Sequence, residues 1–157
     1  AGPRWILIQF GHNDSRLESA VHTDPDTTYR ANLHAMVLEA RAIGAEAVFV
    51  TPPPNFIAAE DGLHVRRPNG LEGYVSAMRA QASDDGVAVV ELHPTLMDDY
   101  DQLGIQLARA LYSYEVSPGV PDLSHFSRKG AIHAAETIVS QLASASPSLA
   151  AYLLTAP

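Results

Sequence analysis

Three short apolar runs punctuate the chain and separate longer segments of helical periodicity. The runs cover residues 5–10, 47–51 and 87–92. Each is too short for a helix, and its near-continuous apolar character predicts a strand that is buried on both faces. Strands of this kind occur in parallel sheets whose two faces are covered by helices.

The segments between and after these runs carry apolar residues at helical spacing, bounded by start and stop signals. The first predicted helix starts at Asp24-Pro25 and stops at Gly44, and the second is capped by Asn69 and stops at Gly86. A third covers residues 96–107 with a break at Gly104, and the last covers residues 132–142. Residues 52–68 and 117–127 are predicted loops. The order of residues 144–157 is left open.

Alternation of strand and helix predicts an α/β fold, a three-layer α/β/α sandwich built on a parallel sheet. A length of 157 residues suits one domain with a core of ordinary size. We therefore expect a single domain over residues 1–157.

Composition and net charge exclude several classes of partner and site. With 46% hydrophobic and 18% charged residues, the chain is typical of a folded globular protein. A net charge of −8 repels phosphates and anionic lipids, which argues against a nucleic acid or membrane partner and leaves small neutral substrates open. The absence of cysteine excludes disulfides, zinc–thiolate sites and a cysteine nucleophile.

The chain shows no apolar run of about 18 residues, so no transmembrane helix is expected. No basic-then-apolar leader is visible in these residues either. The abrupt start without Met suggests a chain that was cut, processed or only partly represented.

Candidate chemistry lies where the strands end, because active sites of open α/β sheets gather beyond the carboxyl ends of the strands. The first run leads into Gly11-His12-Asn13-Asp14. The Asn13 amide could donate to an oxyanion, although an Asx-turn that closes the strand is the simpler interpretation of an isolated asparagine. Ser15 is interpreted as completing this turn by hydrogen bonding rather than as a nucleophile.

Asp122 and His125 are three residues apart in the loop before the last helix. A turn at this spacing can aim the carboxylate at one ring nitrogen, which fixes the tautomer and frees the other nitrogen as a general base. An isolated Asp-x-x-His is more often an ordinary surface loop.

In order and strand context, these motifs together resemble the SGNH (GDSL-like) hydrolase superfamily. Gly11-His12-Asn13-Asp14 matches its G-x-N-D motif, and Asp122-Leu123-Ser124-His125 matches its D-x-x-H motif. The phrases IQFGHND, VFVTPP and DLSHFSRKGA look most like the rhamnogalacturonan acetylesterase branch. The resemblance covers about residues 5–142 and implies a flavodoxin-like α/β/α fold.

The resemblance implies a role for each matched residue. His125 would be the general base, Asp122 its orienting partner and Asn13 an oxyanion donor. Gly11 would shape the turn. His12 would line the pocket, and the alternative is that His12 is only a turn residue. No metal or organic cofactor is implied, and a secreted or periplasmic location is favoured.

Two family elements have no counterpart here, namely the Gly-Asp-Ser motif with its nucleophilic serine and the glycine that supplies a second oxyanion N–H. We expect both to lie upstream of residue 1, so that the chain represents the C-terminal two-thirds of the domain. A segment or second copy would then cover the edge of the first strand. Leu123 stands where the branch often has a small residue, which bears on substrate choice.

The function expected by resemblance is removal of acetyl groups from carbohydrate esters. The alternative is a non-catalytic carbohydrate-binding or interaction domain that has lost its nucleophile. His64, with Arg66 and Arg67, could contact substrate from the long loop, a solvated loop being the alternative. The remaining histidines have no partner that the sequence reveals and no ligand set for a metal: His22, His34, His93 and His133.

Overall fold

The computed structural model describes residues 4–113 and 115–155. Backbone contacts divide the chain into two compact units. The sheet unit comprises Ala1–Pro52, Gly70–Glu91 and Gln141–Pro157, and the helical unit comprises Pro53–Asn69 and Leu92–Ser140. That the whole chain forms a single domain stays a prediction, because this division into units does not test it.

The sheet unit contains a parallel three-stranded sheet in the order β1-β2-β3. Its strands are β1 (Trp5–Ile8), β2 (Glu46–Val50) and β3 (Ala88–Val90). The predicted α/β class with a parallel sheet is confirmed, and each strand lies within or beside a predicted run. Among the described residues, β1 pairs only with β2 and forms one edge of the sheet.

Two of the predicted strand ends are wrong. Phe10 is exposed and its carbonyl accepts from the Tyr29 hydroxyl at 3.0 Å, so β1 stops earlier than the apolar run. Leu92 begins a helix instead of ending β3. Pro94 stands in the first turn of that helix, where a missing N–H costs no intrahelical bond.

One face of the sheet packs against α1 (Arg30–Ala42) and α2 (Glu72–Asp85). A π-helical turn, Pro25–Tyr29, precedes α1, and Asp24 caps it by accepting from the backbone N–H groups of residues 26 and 27. The predicted stop at Gly86 is confirmed, because Gly86 takes the left-handed conformation that closes α2. The shared core consists of Ile8, Tyr29, Leu33, Val37, Phe49, Tyr74, Ala77, Met78 and Ala82.

C-terminal helices cover the opposite face. They are the last turn of α5 (Arg128–Ala145) and α6 (Pro147–Thr155). The Trp5 indole N–H donates to the Ser148 hydroxyl at 3.3 Å, and its ring centroid lies 5.1 Å from that of Tyr152. Helices thus lie on both faces of the sheet, and residues 147–155, whose order the sequence left open, form a helix.

The helical unit contains α3 (Leu92–Leu103) and α4 (Ile105–Arg109), separated at Gly104 as predicted. A two-stranded ribbon follows, formed by β4 (Glu115–Ser117) and β5 (Val120–Pro121). Its core is aromatic, with ring contacts among Phe56, Tyr100, Tyr112 and Phe126. No helix among residues 4–113 and 115–155 is both long and apolar enough to cross a membrane.

The prediction that Asn69 caps a helix is wrong. Helix α2 begins at Glu72, with Leu71 in the capping position and no side chain bonded there. Asn69 is buried instead, and its amide nitrogen lies 3.3 Å from the Met97 sulfur. The Asn69 side chain therefore lies in the interior of the helical unit, which the sequence pattern around it does not reveal.

Candidate active site

Gly11 allows the sharp turn at the end of β1. Its φ of +140° lies in the region that L side chains rarely adopt. A Cβ added there would stand 3.0 Å from Pro52 Cγ and 3.2 Å from Pro52 Cβ. Both the conformation and the close approach therefore require glycine at this position.

Asn13 projects from the turn that follows. The Ser15 N–H donates to the Gly11 carbonyl at 2.9 Å, and the Ser15 hydroxyl donates to the His12 carbonyl at 2.9 Å. Ser15 thus completes the turn as predicted. The Asn13 side chain is exposed and makes no hydrogen bond to any described residue, so the Asx-turn is not formed and the amide is available to a ligand.

The peptide after Asn13 is held by groups that the sequence did not single out. The Asp14 carbonyl lies 2.8 Å from the Tyr74 hydroxyl and accepts from His22 Nδ1 at 2.6 Å. The Asp14 carboxylate accepts from the Thr23 hydroxyl at 2.8 Å. These contacts join the turn to α2 and to the start of the next helix, and so limit the movement of Asn13. The apolar spacing of α2 identified Tyr74 only as a core residue.

Asp122 and His125 form the predicted pair. His125 Nδ1 lies 2.8 Å from Asp122 Oδ2, while Asp122 Oδ1 accepts from the backbone N–H groups of Ser124 at 3.0 Å and His125 at 2.8 Å. The carboxylate is buried, with 7% of its side chain exposed, whereas the imidazole is 72% exposed. In the neutral imidazole, a proton on Nδ1 that donates to the carboxylate leaves Nε2 as the acceptor nitrogen.

The pKa of Asp122 lies below its usual value. Burial by itself raises this pKa, but the backbone N–H groups of His125 and Ser124 and then the His125 ring outweigh it. Asp122 therefore stays ionised at neutral pH and can stabilise a positive charge on the imidazole.

The loop that carries the pair is fixed from two sides within the helical unit. On one side the Phe56 N–H donates to the Leu123 carbonyl at 2.8 Å. On the other side the Ser113 N–H donates to the His125 carbonyl at 2.7 Å, and the Ser127 N–H donates to the Leu111 carbonyl at 2.8 Å. The imidazole is therefore held through its backbone as well as through Asp122.

The structure brings the predicted residues together in two groups. Gly11, His12 and Asn13 share the turn after β1 in the sheet unit, and Asp122 and His125 share a loop of the helical unit. That the two groups line one cleft stays a prediction, as do the catalytic and substrate-binding roles. Within the part of the chain that the structure describes, no group of three or more His, Cys, Asp or Glu residues is arranged to hold a metal ion.

Most of the other histidines have structural partners. His34 lies 2.7 Å from an Asp85 carboxylate oxygen and so joins α1 to α2. His133 lies 3.0 Å from an Asp99 carboxylate oxygen and joins α5 to α3. His93 is buried in the first turn of α3.

Comparison with known proteins shows a family match over most of the chain. The profile of the GDSL-like Lipase/Acylhydrolase family matches residues 1–131. The chain is 30% identical over 136 residues to the probable rhamnogalacturonan acetylesterase YesY of Bacillus subtilis, covering 85% of this chain and 59% of that protein. It is 31% identical over 141 residues to the rhamnogalacturonan acetylesterase RhgT of the same organism, covering 85% and 58%. The chain thus spans less than two-thirds of the length of these curated relatives.

Solved structures with the same fold include a lipase/acylhydrolase from Enterococcus faecalis, with a TM-score of 0.59 and 22% identity over 89% of this chain and 61% of that one. Another is Axe2, an acetylxylan esterase from Geobacillus stearothermophilus, with a TM-score of 0.55 and 18% identity over 88% of this chain and 58% of that one. At these identities the likeness concerns the fold alone.

Proposed function

Because this chain belongs to the GDSL-like lipase/acylhydrolase family, we propose that it carries the base and oxyanion parts of a serine esterase that removes acetyl groups from carbohydrates. The curated relatives YesY and RhgT bear the name of acetylesterases of a polysaccharide, which supports this substrate class. The nucleophilic serine would come from a segment outside these 157 residues, since no serine of the chain follows Gly-Asp.

The observation that carries the proposal is the bond from His125 Nδ1 to Asp122 at 2.8 Å. In the neutral ring, this bond leaves Nε2 unprotonated, and the ring is exposed, as a general base requires. The buried carboxylate can stabilise the imidazolium without taking its proton.

In the proposed reaction, His125 Nε2 takes the proton of the serine hydroxyl while the serine oxygen attacks the acetyl carbonyl. The Asn13 amide donates to the oxyanion of the tetrahedral intermediate. When the intermediate collapses, His125 returns the proton to the departing sugar oxygen, which leaves acetyl-serine and a free sugar hydroxyl. A water molecule then repeats these steps on acetyl-serine and releases acetate.

The serine-bearing segment would lie beside β1. That strand has one neighbour among the described residues, which leaves its other edge unpaired there. A parallel strand added there would end at the same rim as the Asn13 turn, because the carboxyl ends of parallel strands share one edge. We propose this edge as the position of the strand that ends in Gly-Asp-Ser.

The test is turnover of p-nitrophenyl acetate and of an acetylated oligosaccharide by the chain, with and without a fused segment that supplies Gly-Asp-Ser. The chain alone should show at most a weak residual activity, and the fusion should restore turnover. His125→Ala in the fusion should abolish it, since the base is lost.

The matched control is His34→Ala, which breaks a His–Asp contact between α1 and α2 and should leave kcat unchanged. Robust turnover by the chain alone that survives His125→Ala would overturn the assignment. A fusion that binds oligosaccharides but hydrolyses none would favour the non-catalytic binding domain instead.

A further inference from the structure

A cavity of about 280 Å³ lies in the sheet unit, at the amino ends of β2 and β3. The first residues of these two strands form part of its wall, and the joint between α5 and α6 forms another part. The Asn13 turn follows the carboxyl end of β1. Because the three strands are parallel, the cavity and this turn lie at opposite edges of the sheet.

The buried part of the cavity wall is apolar and the exposed part carries charge. Ala45 and Val48 are buried, and Val87 is half-buried. Arg41 and Glu46, which also line the cavity, are exposed. The volume lies near the lower end of the range for ligand pockets, about 300–1,000 Å³, so it suits a ligand of a few carbon atoms.

Helix α6 begins at this cavity with unused hydrogen-bond donors. Its first residue, Pro147, has no N–H, and the next two N–H groups, those of Ser148 and Leu149, have no acceptor among the described residues. The first bond of the helix runs from the Ala150 N–H to the Ser146 carbonyl at 3.0 Å. Unpaired N–H groups and the partial positive charge of a helix start both favour an anionic oxygen.

Ser146, which precedes α6, is buried with an unused hydroxyl. It is 5% exposed and lines the cavity, yet its hydroxyl makes no hydrogen bond within residues 4–113 and 115–155. A serine before a helix ordinarily accepts from the second or third N–H of that helix. Since this cap is not formed, the hydroxyl and the N–H groups can bind one and the same ligand oxygen. The Ser148 hydroxyl, by contrast, already donates to Glu46 Oε2 at 3.2 Å and accepts from the Trp5 indole at 3.3 Å.

Arg41 supplies a positive charge beside the cavity. One NH₂ group of its guanidinium donates to the Asp85 carbonyl at 2.5 Å, which fixes it near the end of α2. Its charge acts on the Asp85 carboxylate, but the two groups form no salt bridge. A guanidinium has five N–H donors, so others remain for a ligand. Glu46 has the opposite sign, so an anion in the cavity is attracted by Arg41 and repelled by Glu46.

We propose that this cavity binds a short-chain aliphatic carboxylate. The carboxylate accepts from the Ser146 hydroxyl and the N–H groups at the start of α6, and the alkyl chain packs against Val48 and Val87. Hydrogen-bond donors at one end and an apolar wall at the other match the two parts of such an ion. The inference does not rest on the proposed esterase activity, because the cavity and the Asn13 turn lie at opposite edges of the sheet.

The test is a titration of the 157-residue chain at constant ionic strength, followed by NMR of the backbone amides and methyl groups. Sodium butyrate replaces sodium chloride, and 1-butanol and butylammonium are the neutral and cationic counterparts. Butyrate should bind saturably and shift the amide signals of Ser148 and Leu149 and the methyl signals of Val48 and Val87. No shift when butyrate replaces chloride would overturn the site. Tighter binding of butylammonium or butanol than of butyrate would also overturn it.

Ser146→Ala tests the hydroxyl. This variant should weaken butyrate binding by about tenfold, as expected for one hydrogen bond to a charged group. It should leave the urea midpoint of the free chain unchanged, because the hydroxyl has no partner among the residues that the structure describes. The matched control is Ser144→Ala, whose hydroxyl donates to the Gln141 carbonyl at 3.0 Å and which should not alter butyrate binding. Unchanged butyrate binding by Ser146→Ala, or a lower urea midpoint that reveals a helix cap, would contradict the proposal.

Charge variants test the sign of the site. Arg41→Gln should weaken butyrate binding by about two- to fivefold, the range for exposed charges. Glu46→Gln should strengthen it by a similar factor, since it removes the like charge and keeps an acceptor for the Ser148 hydroxyl. Arg66→Gln removes an exposed arginine of the helical unit and is the control. Equal losses in the two arginine variants, or weaker binding by Glu46→Gln, would refute the assignment.

Discussion

Replacing Asp122 by asparagine should reverse the tautomer of His125. In the native pair, Oδ1 accepts from two backbone N–H groups and Oδ2 accepts from the ring Nδ1–H. An asparagine has one acceptor oxygen and one NH₂ group, so it cannot serve both sides. The ring must then either lose its bond or accept from the amide at Nδ1.

The magnitude follows from counting bonds. Keeping the amide oxygen on the backbone gives three hydrogen bonds, two from the backbone N–H groups and one from the amide to Nδ1, whereas turning the oxygen to the ring gives one. At about 1 kcal/mol for each bond, the first arrangement is favoured by about 2 kcal/mol, or roughly thirtyfold. Most His125 rings would then carry the proton on Nε2, where the base is needed. Loss of the carboxylate charge adds to this, and the equivalent change in serine protease triads costs about 10⁴-fold in kcat.

The assay is ¹⁵N NMR of the imidazole nitrogens of the 157-residue chain, which reads the tautomer without a nucleophile, together with kcat in the turnover-competent fusion. Native His125 should show the proton on Nδ1 and Asp122→Asn should show it on Nε2, with kcat reduced by about 10³–10⁴-fold. Asp61→Asn is the matched control, since it should change the tautomer of His64 alone. A native ring already protonated on Nε2, or an unchanged tautomer in Asp122→Asn, would refute the reasoning.

Three further results are expected. Gly11→Ala should lower the free energy of unfolding in urea by about 2–4 kcal/mol, because Gly11 has a φ of +140° and an added Cβ would contact Pro52. Gly44→Ala, with open space around the added Cβ, should cost about 1 kcal/mol, and equal losses in the two variants would contradict this reasoning. Burial by itself raises the pKa of Asp85, but side-chain hydrogen bonds lower it overall. The ionised Asp85 should therefore stabilise the fold above about pH 4, and this contribution should be lost as the pH falls through the folded-state pKa. Asp85→Asn should flatten the acid side of a curve of unfolding free energy against pH. The edge of β1 should be paired with a second copy or a further segment in solution, so light scattering of the 157-residue chain should give a mass above that of one chain. A clean monomer whose β1 edge is open would contradict this expectation.

The sequence predicted the elements whose signal is local. Apolar runs identified the three strands, and Gly86 and Gly104 marked helix ends where the backbone needs a positive φ. Asn69 was misassigned because its partner, Met97, is distant in sequence. The α6 helix escaped prediction since its support comes from β1, through Ser148 and Tyr152.

The candidate site was predictable to a similar degree. The spacing of Asp122 and His125 fixed their contact, because a turn of three residues brings the two side chains together. The same spacing occurs at Asp61 and His64, yet the sequence interpretation grouped His64 with its basic neighbours instead. The contact of Tyr74 with the Asp14 carbonyl had no local signal, since 60 residues separate them.

The open edge of β1 has a practical consequence for protein engineering. A strand that docks there would bring its last residues close to the Asn13 turn, so association and chemistry would be completed by the same event. Under the proposed function, the chain would serve as the acceptor half of a split reporter, with a short Gly-Asp-Ser peptide as the donor half. Ester cleavage would then report how much peptide is bound, and two proteins fused to the halves could be scored for proximity by colour.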